Sequence, residues 1–365
     1  MVVAKKMNKE KNEVTKSVTV NDLPKITVTK SVTDSNLSSE TTVTKSVTID
    51  LIPQTTISPS SINTYCKCPR EYFYNYILKL PVRPNIHLIK GIMVHTTLEN
   101  FFRGYKPNFD KTLATYFVKA WLSNKKQLAK LELSTEILKK ERQDCINILK
   151  SYLYKFKHTI NDLVEGGKAE NESHAYYLLK PKFKELKVEN EDLHCKGFID
   201  RIHKDFDGNI TLGDYKTSKK YGIGLTKDYR RQISIYALLY KLQEHITPDF
   251  TSVIYLRYGE EYFLEVTPSL LKYAREIIID TYNKTRSINI EDYPKKENKL
   301  CSWCNFQNVC SGEKDWKSVI RVEKLKKLFS TPTPSISTTP QKRITSIQQG
   351  GIYPPCVGGS TEAKK

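Results

Sequence analysis

A predicted β-hairpin near the middle of the chain constrains the fold most strongly. Residues 197–216 read Gly-Phe-Ile-Asp-Arg-Ile-His-Lys-Asp-Phe-Asp-Gly-Asn-Ile-Thr-Leu-Gly-Asp-Tyr-Lys, and the turn sequence Asp207-Gly208-Asn209 separates two strand-like halves. Such a turn sequence is typical of a tight hairpin because Gly, Asn and Asp tolerate positive φ. The first strand carries Asp200, and the second carries Asp214 and Lys216. The hairpin therefore places two carboxylates and an ammonium group on adjacent strands.

These three side chains form a candidate hydrolytic site. Two carboxylates can hold Mg²⁺ or Mn²⁺, and a lysine two residues beyond the second can face a water on that metal. Such a set suits the hydrolysis of a phosphodiester. An ordinary charged surface hairpin is the alternative. Against it, Asp200 and Asp214 each directly follow an apolar strand segment, where an acid is seldom incidental.

The charge of the chain indicates a polyanionic partner. The 365 residues carry a formal net charge of +19. This surplus favours nucleic acid first and an anionic membrane surface second, and lysine-rich tails that only keep the protein in solution are the alternative. The 22 Tyr and 13 Phe residues suffice for a core and for stacking on bases.

Signals for export or membrane insertion are missing from the sequence pattern. No stretch approaches the roughly 18 apolar residues of a membrane span. The first ten residues lack the apolar segment of a secretory signal, and they contain an acid and no arginine, unlike a mitochondrial transit peptide. We therefore expect no membrane partner and a cytoplasmic location, or a nuclear or viral-factory location if the host is eukaryotic.

Composition divides the chain into three regions, 1–56, 57–328 and 329–365. The hexapeptide Val-Thr-Lys-Ser-Val-Thr occurs in the first region at 14–19, 28–33 and 43–48. This region has few large apolar residues, so we predict a disordered basic tail, although its Val–Thr alternation also has strand propensity and can pair on a partner. The last region contains Thr-Pro-Thr-Pro and Gly-Gly and is predicted to be a second disordered tail.

The middle region is predicted to be an α/β domain. Helical spacing of apolar residues starts at Ser58-Pro59-Ser60 and continues at 89–102, 109–125 and 134–164. Strand patterns follow at 175–188, 193–204, 210–216, 252–258 and 262–266, and helical patterns at 228–243 and 268–288. This order predicts a small mixed central sheet flanked by helices and preceded by a helical region.

Three polar residues on predicted helices are further site candidates. A lone helical histidine such as His95 is more often a packed or surface residue, but a neutral imidazole is also a good ligand for a metal such as Mn²⁺. Gln232 and Tyr236 are four residues apart and therefore share one helical face. That face is either an ordinary helix flank or a surface that contacts phosphate and orients Lys216.

The cysteines predict a metal site near the end of the middle region. Eight cysteines in a reducing compartment favour metal ligands or plain thiols over disulfides. Cys301, Cys304 and Cys310 have the spacing Cys-x2-Cys-x5-Cys, but tetrahedral zinc and iron–sulfur sites need four ligands. Upstream, Cys66 and Cys68 are two residues apart on a predicted helix, so at most one is expected to ligate. Cys68 precedes a proline that should break the helix, which makes it the better candidate.

Six short motifs, in this order, make residues 57–313 resemble the RecB-like branch of the PD-(D/E)xK nuclease superfamily. The similarity is to members with a four-cysteine iron–sulfur cluster, such as the AddB-type helicase–nuclease end domain and the CRISPR-associated exonucleases. The motifs are Ser-Pro-Ser-Ser-Ile-Asn-Thr-Tyr with Cys68-Pro69, Gly91-x3-His95, Gly197-Phe-Ile-Asp200, Asp214-Tyr-Lys216-Thr, Gln232-x3-Tyr236, and Cys301-x2-Cys304-x5-Cys310.

The resemblance implies a restriction-endonuclease-like core and a role for each matching residue. The implied ligands of a divalent metal, Mg²⁺ or Mn²⁺, are His95, Asp200, Asp214 and the carbonyl of Tyr215. Lys216 would orient or deprotonate the attacking water and stabilise charge at the phosphorus. The resemblance also implies that Gln232 and Tyr236 complete the site and touch DNA. The family often has a further glutamate before the first strand, and Glu172 and Glu185 both compete for that place.

The resemblance also implies a [4Fe–4S] cluster, with zinc as the second choice of metal. Its ligands would be Cys68, Cys301, Cys304 and Cys310. The cluster would tie the first helix to a C-terminal loop across 232 intervening residues, where closure of so long a loop can matter most.

The leading functional hypothesis is a metal-dependent DNA exonuclease or end-processing nuclease in recombination, repair or replication. Its partner would be single- or double-stranded DNA ends. The chain has no Gly-x4-Gly-Lys-Ser/Thr phosphate loop, so we expect a free-standing nuclease or one that works with a separate helicase or recombination protein. The competing hypotheses are a catalytically silent nucleic-acid-binding module, or a nuclease-like subunit of a larger helicase–nuclease complex.

Overall fold

Two compact units make up most of the described structure. The computed structural model describes residues 12–17, 25–32, 43–49, 56–219 and 224–314. We call Thr56–Lys67 and Val82–Tyr282 the sheet unit, and Cys68–Pro81 with the described chain from Asn283 the cysteine unit. No helix among the described residues is long and apolar enough to cross a membrane.

The N-terminal repeats contribute three antiparallel strands in the order β1-β2-β3. Their bounds are Asn12–Ser17, Lys25–Val32 and Val43–Ile49. The backbone register aligns the repeats, because Val28 of β2 is the partner of Val14 in β1 and of Val47 in β3. This pairing follows the strand propensity of alternating Val and Thr, and the disordered tail over 1–56 stays a prediction. The boundary at residue 56 stays a prediction, and the predicted tail 329–365 lies outside the described residues.

The sheet unit is built on a five-stranded mixed sheet in the order β4-β5-β6-β7-β8. These strands are Phe183–Asn190, Cys195–Lys204, Ile210–Lys216, Phe250–Tyr255 and Glu260–Glu265. The pair β6–β7 is parallel and every other pair is antiparallel. A parallel pair needs a long crossover, which here contains the helix Lys227–Glu244. The small mixed central sheet of the sequence analysis is thus confirmed.

Helices surround this sheet and supply the connections. In chain order, α1 to α5 are Pro59–Lys67, Pro69–Tyr72, Ile86–Phe101, Phe109–Ser123 and Lys125–Ala129. The remaining helices, α6 to α10, are Thr135–Glu165, Glu172–Leu179, Lys227–Glu244, Pro268–Lys284 and Gln307–Cys310. A π-helical turn at Phe73–Ile77 and two 3₁₀ turns at Ile290–Asp292 and Cys301–Trp303 lie in the cysteine unit.

Two large hydrophobic cores lie in the described part of the sheet unit, beside a small cluster of Ile233, Val253 and Tyr255. In one, α8 and α9 pack against β5 and β6, with Ile199, Leu212 and Ile278 fully or almost fully buried. The other core gathers α3, α4, α6 and α7, and it includes Tyr215 from β6 and Ile254 from β7. Because side chains alternate along a strand, β6 contributes residues to both cores.

The strand predicted at 175–188 is wrong in its first part. The structure has α7 up to Leu179, and β4 begins only at Phe183. The helix starts because the Asn171 side chain accepts a hydrogen bond from the backbone N–H of His174 at 2.9 Å. Tyr176 is then buried, with its hydroxyl donating to the carbonyl of Phe101 at 2.8 Å. Packing against α3 thus overrides the local strand propensity of these aromatic residues.

A partly buried ionic network fixes α3, α6 and the turn after β7 to one another. The Lys90 ammonium contacts the carboxylates of Glu141 and Asp144. Arg257 donates two hydrogen bonds to Asp144, at 2.5 and 2.8 Å. The Arg257 hydrogen bond is the largest cause that lowers the pKa of Asp144 well below its usual range, and Lys90 lowers it further against the opposing effect of burial.

We expect Asp144→Ala to lower the free energy of unfolding by about 2–3 kcal/mol at neutral pH, because both cations lose a partner. Since the folded-state pKa of Asp144 lies below its unfolded value, this contribution is present at neutral pH and fades as the pH falls below about 4. Urea titrations at pH 7 and at acidic pH measure both effects. Asp110→Ala is the control, because its pair with Lys157 is exposed and worth about 1 kcal/mol or less. Equal losses for the two variants would contradict the prediction.

Candidate active site

The predicted hairpin between β5 and β6 is present in the structure. Its turn is closed by Asp205, whose Oδ1 accepts hydrogen bonds from the backbone N–H groups of Asp207 at 3.0 Å and Asn209 at 2.8 Å. Gly208 adopts a φ of +91°, which a residue with a side chain rarely adopts. Arg201 of β5 then pairs in register with Gly213 of β6, so the acids beyond this pair lie on neighbouring strands.

Asp200 connects β5 to β6 and to α3. Its Oδ2 accepts a hydrogen bond from the backbone N–H of Tyr215 at 2.8 Å. Its Oδ1 lies 3.3 Å from Nδ1 of His95. The other ring nitrogen of His95, Nε2, lies 3.0 Å from the carbonyl oxygen of Tyr215. The structure therefore brings together three of the four predicted metal-ligating groups.

Asp214, the fourth predicted ligand, is paired with Lys216 on the side of the sheet that α8 covers. Lys216 Nζ lies 2.6 Å from Asp214 Oδ2. The Gln232 side chain connects both residues, since its Oε1 accepts from Lys216 Nζ and its Nε2 donates to Asp214 Oδ1, each at 3.0 Å. Gln232 Nε2 also lies 3.0 Å from the Tyr236 hydroxyl oxygen. Gln232 therefore links Asp214, Lys216 and Tyr236 into one chain of contacts.

Burial and charge set the protonation of these groups. Burial alone would lower the pKa of Lys216, but the charge of Asp214 and its hydrogen bond raise that pKa above its ordinary value. Burial raises the pKa of Asp214, and the charge of Asp200 adds to this effect against the opposing charges of Lys216 and His95. Burial would also lower the pKa of His95. The hydrogen bond and charge of Asp200 outweigh burial, so the pKa of His95 is raised above its ordinary value. Lys216 is therefore a charged ammonium group at neutral pH.

The ring of Tyr229 is a site component that the sequence reasoning missed. Lys216 Nζ lies 4.8 Å from the centre of this ring, a distance at which the ring face attracts a cation. The Tyr229 hydroxyl is 2.9 Å from the hydroxyl of Ser218. The position of Tyr229 three residues before Gln232 was the available signal, because residues three apart share a helical face.

A cleft beside Asp200 distinguishes between the two candidate glutamates. Its lining includes His95, Glu99, Glu185 and Asp200. Burial, followed by the charges of Glu99 and Asp200, raises the pKa of Glu185. Glu172 instead begins α7 and accepts a hydrogen bond from the Tyr105 hydroxyl at 2.7 Å. Glu185 is thus the glutamate that lies at the site. Glu99 is a second acid there, and its position four residues after His95 on the same helix could have indicated it.

The donor atoms fit a hard divalent cation in part. Among the described residues, no group of three or more His, Cys, Asp and Glu side chains is arranged so that it could hold a metal ion. However, Asp214 Oδ2 is buried and, apart from its ion pair with Lys216, has no hydrogen-bond partner among the described groups. His95 Nε2 and the Tyr215 carbonyl oxygen, two further candidate donors, lie 3.0 Å apart.

The four candidate cluster cysteines all belong to the cysteine unit. Cys68, Cys301, Cys304 and Cys310 are partly buried and form no disulfide. Burial raises the pKa of Cys310, and the charges of Cys68 and Cys301 add to this effect against the opposing charges of Lys295 and Arg70. The same unit is held by Arg70, whose Nε donates to the Tyr293 carbonyl at 2.6 Å. The thiols suit a soft metal, but their arrangement does not form a ligand set among the described residues.

One family model matches more than half of the chain. A family profile of the PD-(D/E)XK nuclease superfamily matches residues 56–311, a range that includes every predicted site residue. One similar solved structure comes from Eubacterium rectale, and its name assigns it provisionally to the exonucleases. It shares 13% sequence identity with this chain at a TM-score of 0.40, and the match covers 69% of this chain and 87% of that one. The solved structure of SSO0001 shares 13% identity at a TM-score of 0.31, covering 72% and 88%. No curated protein sequence matches the chain significantly.

We expect Gly197→Ala to destabilise the site, because an added Cβ would lie 2.8 Å from Cε1 of Tyr236. The ring would have to move away from Gln232, at a cost of about 1–3 kcal/mol. Urea unfolding measures this loss. Gly104→Ala is the control, since an added Cβ there meets nothing within 4 Å and should change stability by about 0.5 kcal/mol or less. A wild-type midpoint for Gly197→Ala would contradict the close approach.

Proposed function

Because the chain belongs to the PD-(D/E)XK nuclease superfamily, we propose that it is a Mg²⁺- or Mn²⁺-dependent deoxyribonuclease. The observation that carries the proposal is a pair of contact sets, one around Asp200 and one around Asp214, which meet at the consecutive residues 214–216 of β6. The contacting residues are His95, Asp200, Asp214, Tyr215, Lys216 and Gln232. A site that had lost its catalytic activity would not be expected to retain all of these residue types.

The donors proposed for the metal are His95 Nε2, the carboxylates of Asp200 and Asp214, and the Tyr215 carbonyl. A bound Mg²⁺ or Mn²⁺ supplies Lewis acidity, which lowers the pKa of a bound water and neutralises phosphate charge. In the structure His95 faces acceptors with both ring nitrogens. Its Nε2 must therefore lose its proton before it can act as a ligand, so cation binding should weaken as the pH falls.

Lys216 is proposed to act as a charged hydrogen-bond donor rather than as a base. Its ammonium pKa is raised, so the group holds its proton at neutral pH. From beside Asp214 it can orient the attacking water and stabilise the negative charge that develops at the phosphorus. Gln232 holds both partners of this pair through one side-chain amide, and Tyr236 in turn contacts that amide. These two residues are positioning residues for Asp214 and Lys216.

The proposed biological role is that of an exonuclease or end-processing enzyme in recombination, repair or replication. It rests on the resemblance of the ordered motifs to the RecB-like branch. The substrate would be single- or double-stranded DNA ends. The net charge of +19 supports a polyanionic partner, and the basic region 1–56 would add affinity that is independent of sequence. A separate helicase or recombination protein is the proposed protein partner.

A [4Fe–4S] cluster on Cys68, Cys301, Cys304 and Cys310 is proposed as a structural staple. The four cysteines form no disulfide, and the charges of Cys68 and Cys301 help to raise the pKa of Cys310. When bound, the cluster would join both segments of the cysteine unit covalently. Zinc on the same thiols is the second choice.

We expect Lys216→Ala to reduce DNA cleavage by about 100-fold or more, because a charged donor at the reacting phosphate is lost, while DNA binding is retained. End-labelled linear single- and double-stranded DNA and circles, with Mg²⁺ or Mn²⁺ and with EDTA, measure cleavage and show whether ends are required. Lys204→Ala, at the exposed end of β5, is the control and should cleave normally. Undiminished cleavage by a folded Lys216→Ala preparation would refute the proposed active site.

We expect anaerobically purified protein to contain about four iron atoms and four sulfides per chain. Cys310→Ser should lose most of the iron because one of four ligands is removed. Cys145→Ala is the control, since Cys145 is buried in the sheet unit and should not affect the iron content. Stoichiometric zinc, without iron and without visible absorbance, would show that these cysteines bind zinc instead of an iron–sulfur cluster.

A further inference from the structure

An aromatic ring lies exposed beside the proposed site. Phe198 precedes Asp200 by two residues on β5, and 54% of its surface is exposed. Its neighbours follow a strict alternation in which Cys195, Gly197 and Ile199 are buried whereas Lys196 and Phe198 are exposed. The ring therefore projects from the sheet face opposite the one that α8 covers.

The facing strand continues this exposed surface into the cleft. Lys187 of β4 is the register partner of Phe198, so the two side chains project from the same face. Two residues before Lys187 on the same strand is Glu185, which lines the cleft together with Asp200. The ring of Phe198 and the cleft carboxylates thus belong to one open surface on β4 and β5.

The spacing along β5 places the ring of Phe198 two residues from Asp200. Two residues along a strand span about 6.6 Å, so a strand whose phosphate lies at Asp200 brings an adjacent base within reach of Phe198. We propose that Phe198 is a stacking platform for an unpaired nucleobase next to the scissile phosphate, so that the preferred substrate is an unpaired DNA end. This inference rests on the proposed nuclease site.

The surroundings of the ring favour stacking over charge as the source of affinity. Lys187 is paired with Glu189 at 2.6 Å between Nζ and Oε2, and Glu189 is the register partner of Lys196. Two lysines and two glutamates, Glu185 and Glu189, therefore share this surface, and their charges nearly cancel. Inside a duplex, neighbouring bases cover both faces of each base, so a ring beside an internal phosphate can stack only on an unpaired or extruded base.

Binding by full-length protein with the Lys216→Ala substitution, without divalent metal, tests the inference. The probes are a fluorescein-labelled single-stranded 12-mer and a blunt duplex of the same sequence, followed by fluorescence anisotropy. Adding Phe198→Ala should weaken single-strand binding about tenfold, which corresponds to 1.4 kcal/mol, and duplex binding by about twofold or less. Phe198→Trp should restore single-strand binding.

Phe263→Ala is the matched control. Phe263 is 59% exposed and lies on β8, three strands or about 14 Å from β5. Its removal should leave both affinities unchanged. A 12-mer whose sugars carry no bases supplies a second readout, because the parent and Phe198→Ala should bind it equally if the ring acts through stacking.

Three results would overturn the inference: parental single-strand affinity in Phe198→Ala, an equal loss on single strand and duplex, or a Phe198 effect that persists on the base-free strand. The cleavage assay separates this inference from the proposed function. Phe198-dependent binding without cleavage by the wild-type protein would refute only the nuclease proposal. Cleavage with an unchanged preference between single-stranded and blunt ends in Phe198→Ala would refute only the role of the ring.

Discussion

The ion pair between Asp214 and Lys216 is the interaction on which the rest of the sheet unit depends. Both side chains are largely buried, with 4% and 19% of their surfaces exposed. Burying two charges is costly unless each has further partners. Gln232 supplies these partners, and it can do so only if α8 lies against β6 at one rotation. The apolar residues of α8 and the missing side chain at Gly197, which gives Tyr236 its space, maintain that rotation.

The strand β6 joins the two cores because its neighbouring residues serve opposite faces. Asp214 and Lys216 face α8, whereas the Tyr215 side chain lies in the helical core. The backbone of Tyr215 meanwhile contacts both Asp200 and His95. A shift of β6 by one residue would exchange these faces and remove the contacts that Asp214, Tyr215 and Lys216 make in the site. The register of one strand therefore determines both the packing and the chemistry.

The sequence predicts the hairpin and α8 well because their signals are local. Asp207-Gly208-Asn209 indicates a turn by itself, and the apolar spacing between 228 and 243 indicates a helix without knowledge of its neighbours. The strand predicted across α7 fails because tertiary burial of Tyr176 decides that segment. Glu99 and Tyr229 could not be ranked from sequence, because their importance comes from contacts with residues far away in the chain. The choice between Glu172 and Glu185 likewise requires knowledge of which glutamate meets Asp200 across the sheet.

The discontinuous path of the chain has a consequence for biosynthesis. The two segments of the cysteine unit, Cys68–Pro81 and the chain from Asn283, lie on either side of most of the sheet unit in sequence. The first segment is synthesised early, and the second is synthesised only after more than 200 further residues. The sheet unit can therefore begin to fold before the second segment of the cysteine unit has been synthesised, since domains fold as they emerge. Completion of the cysteine unit is then a late step, which follows synthesis of the sheet unit.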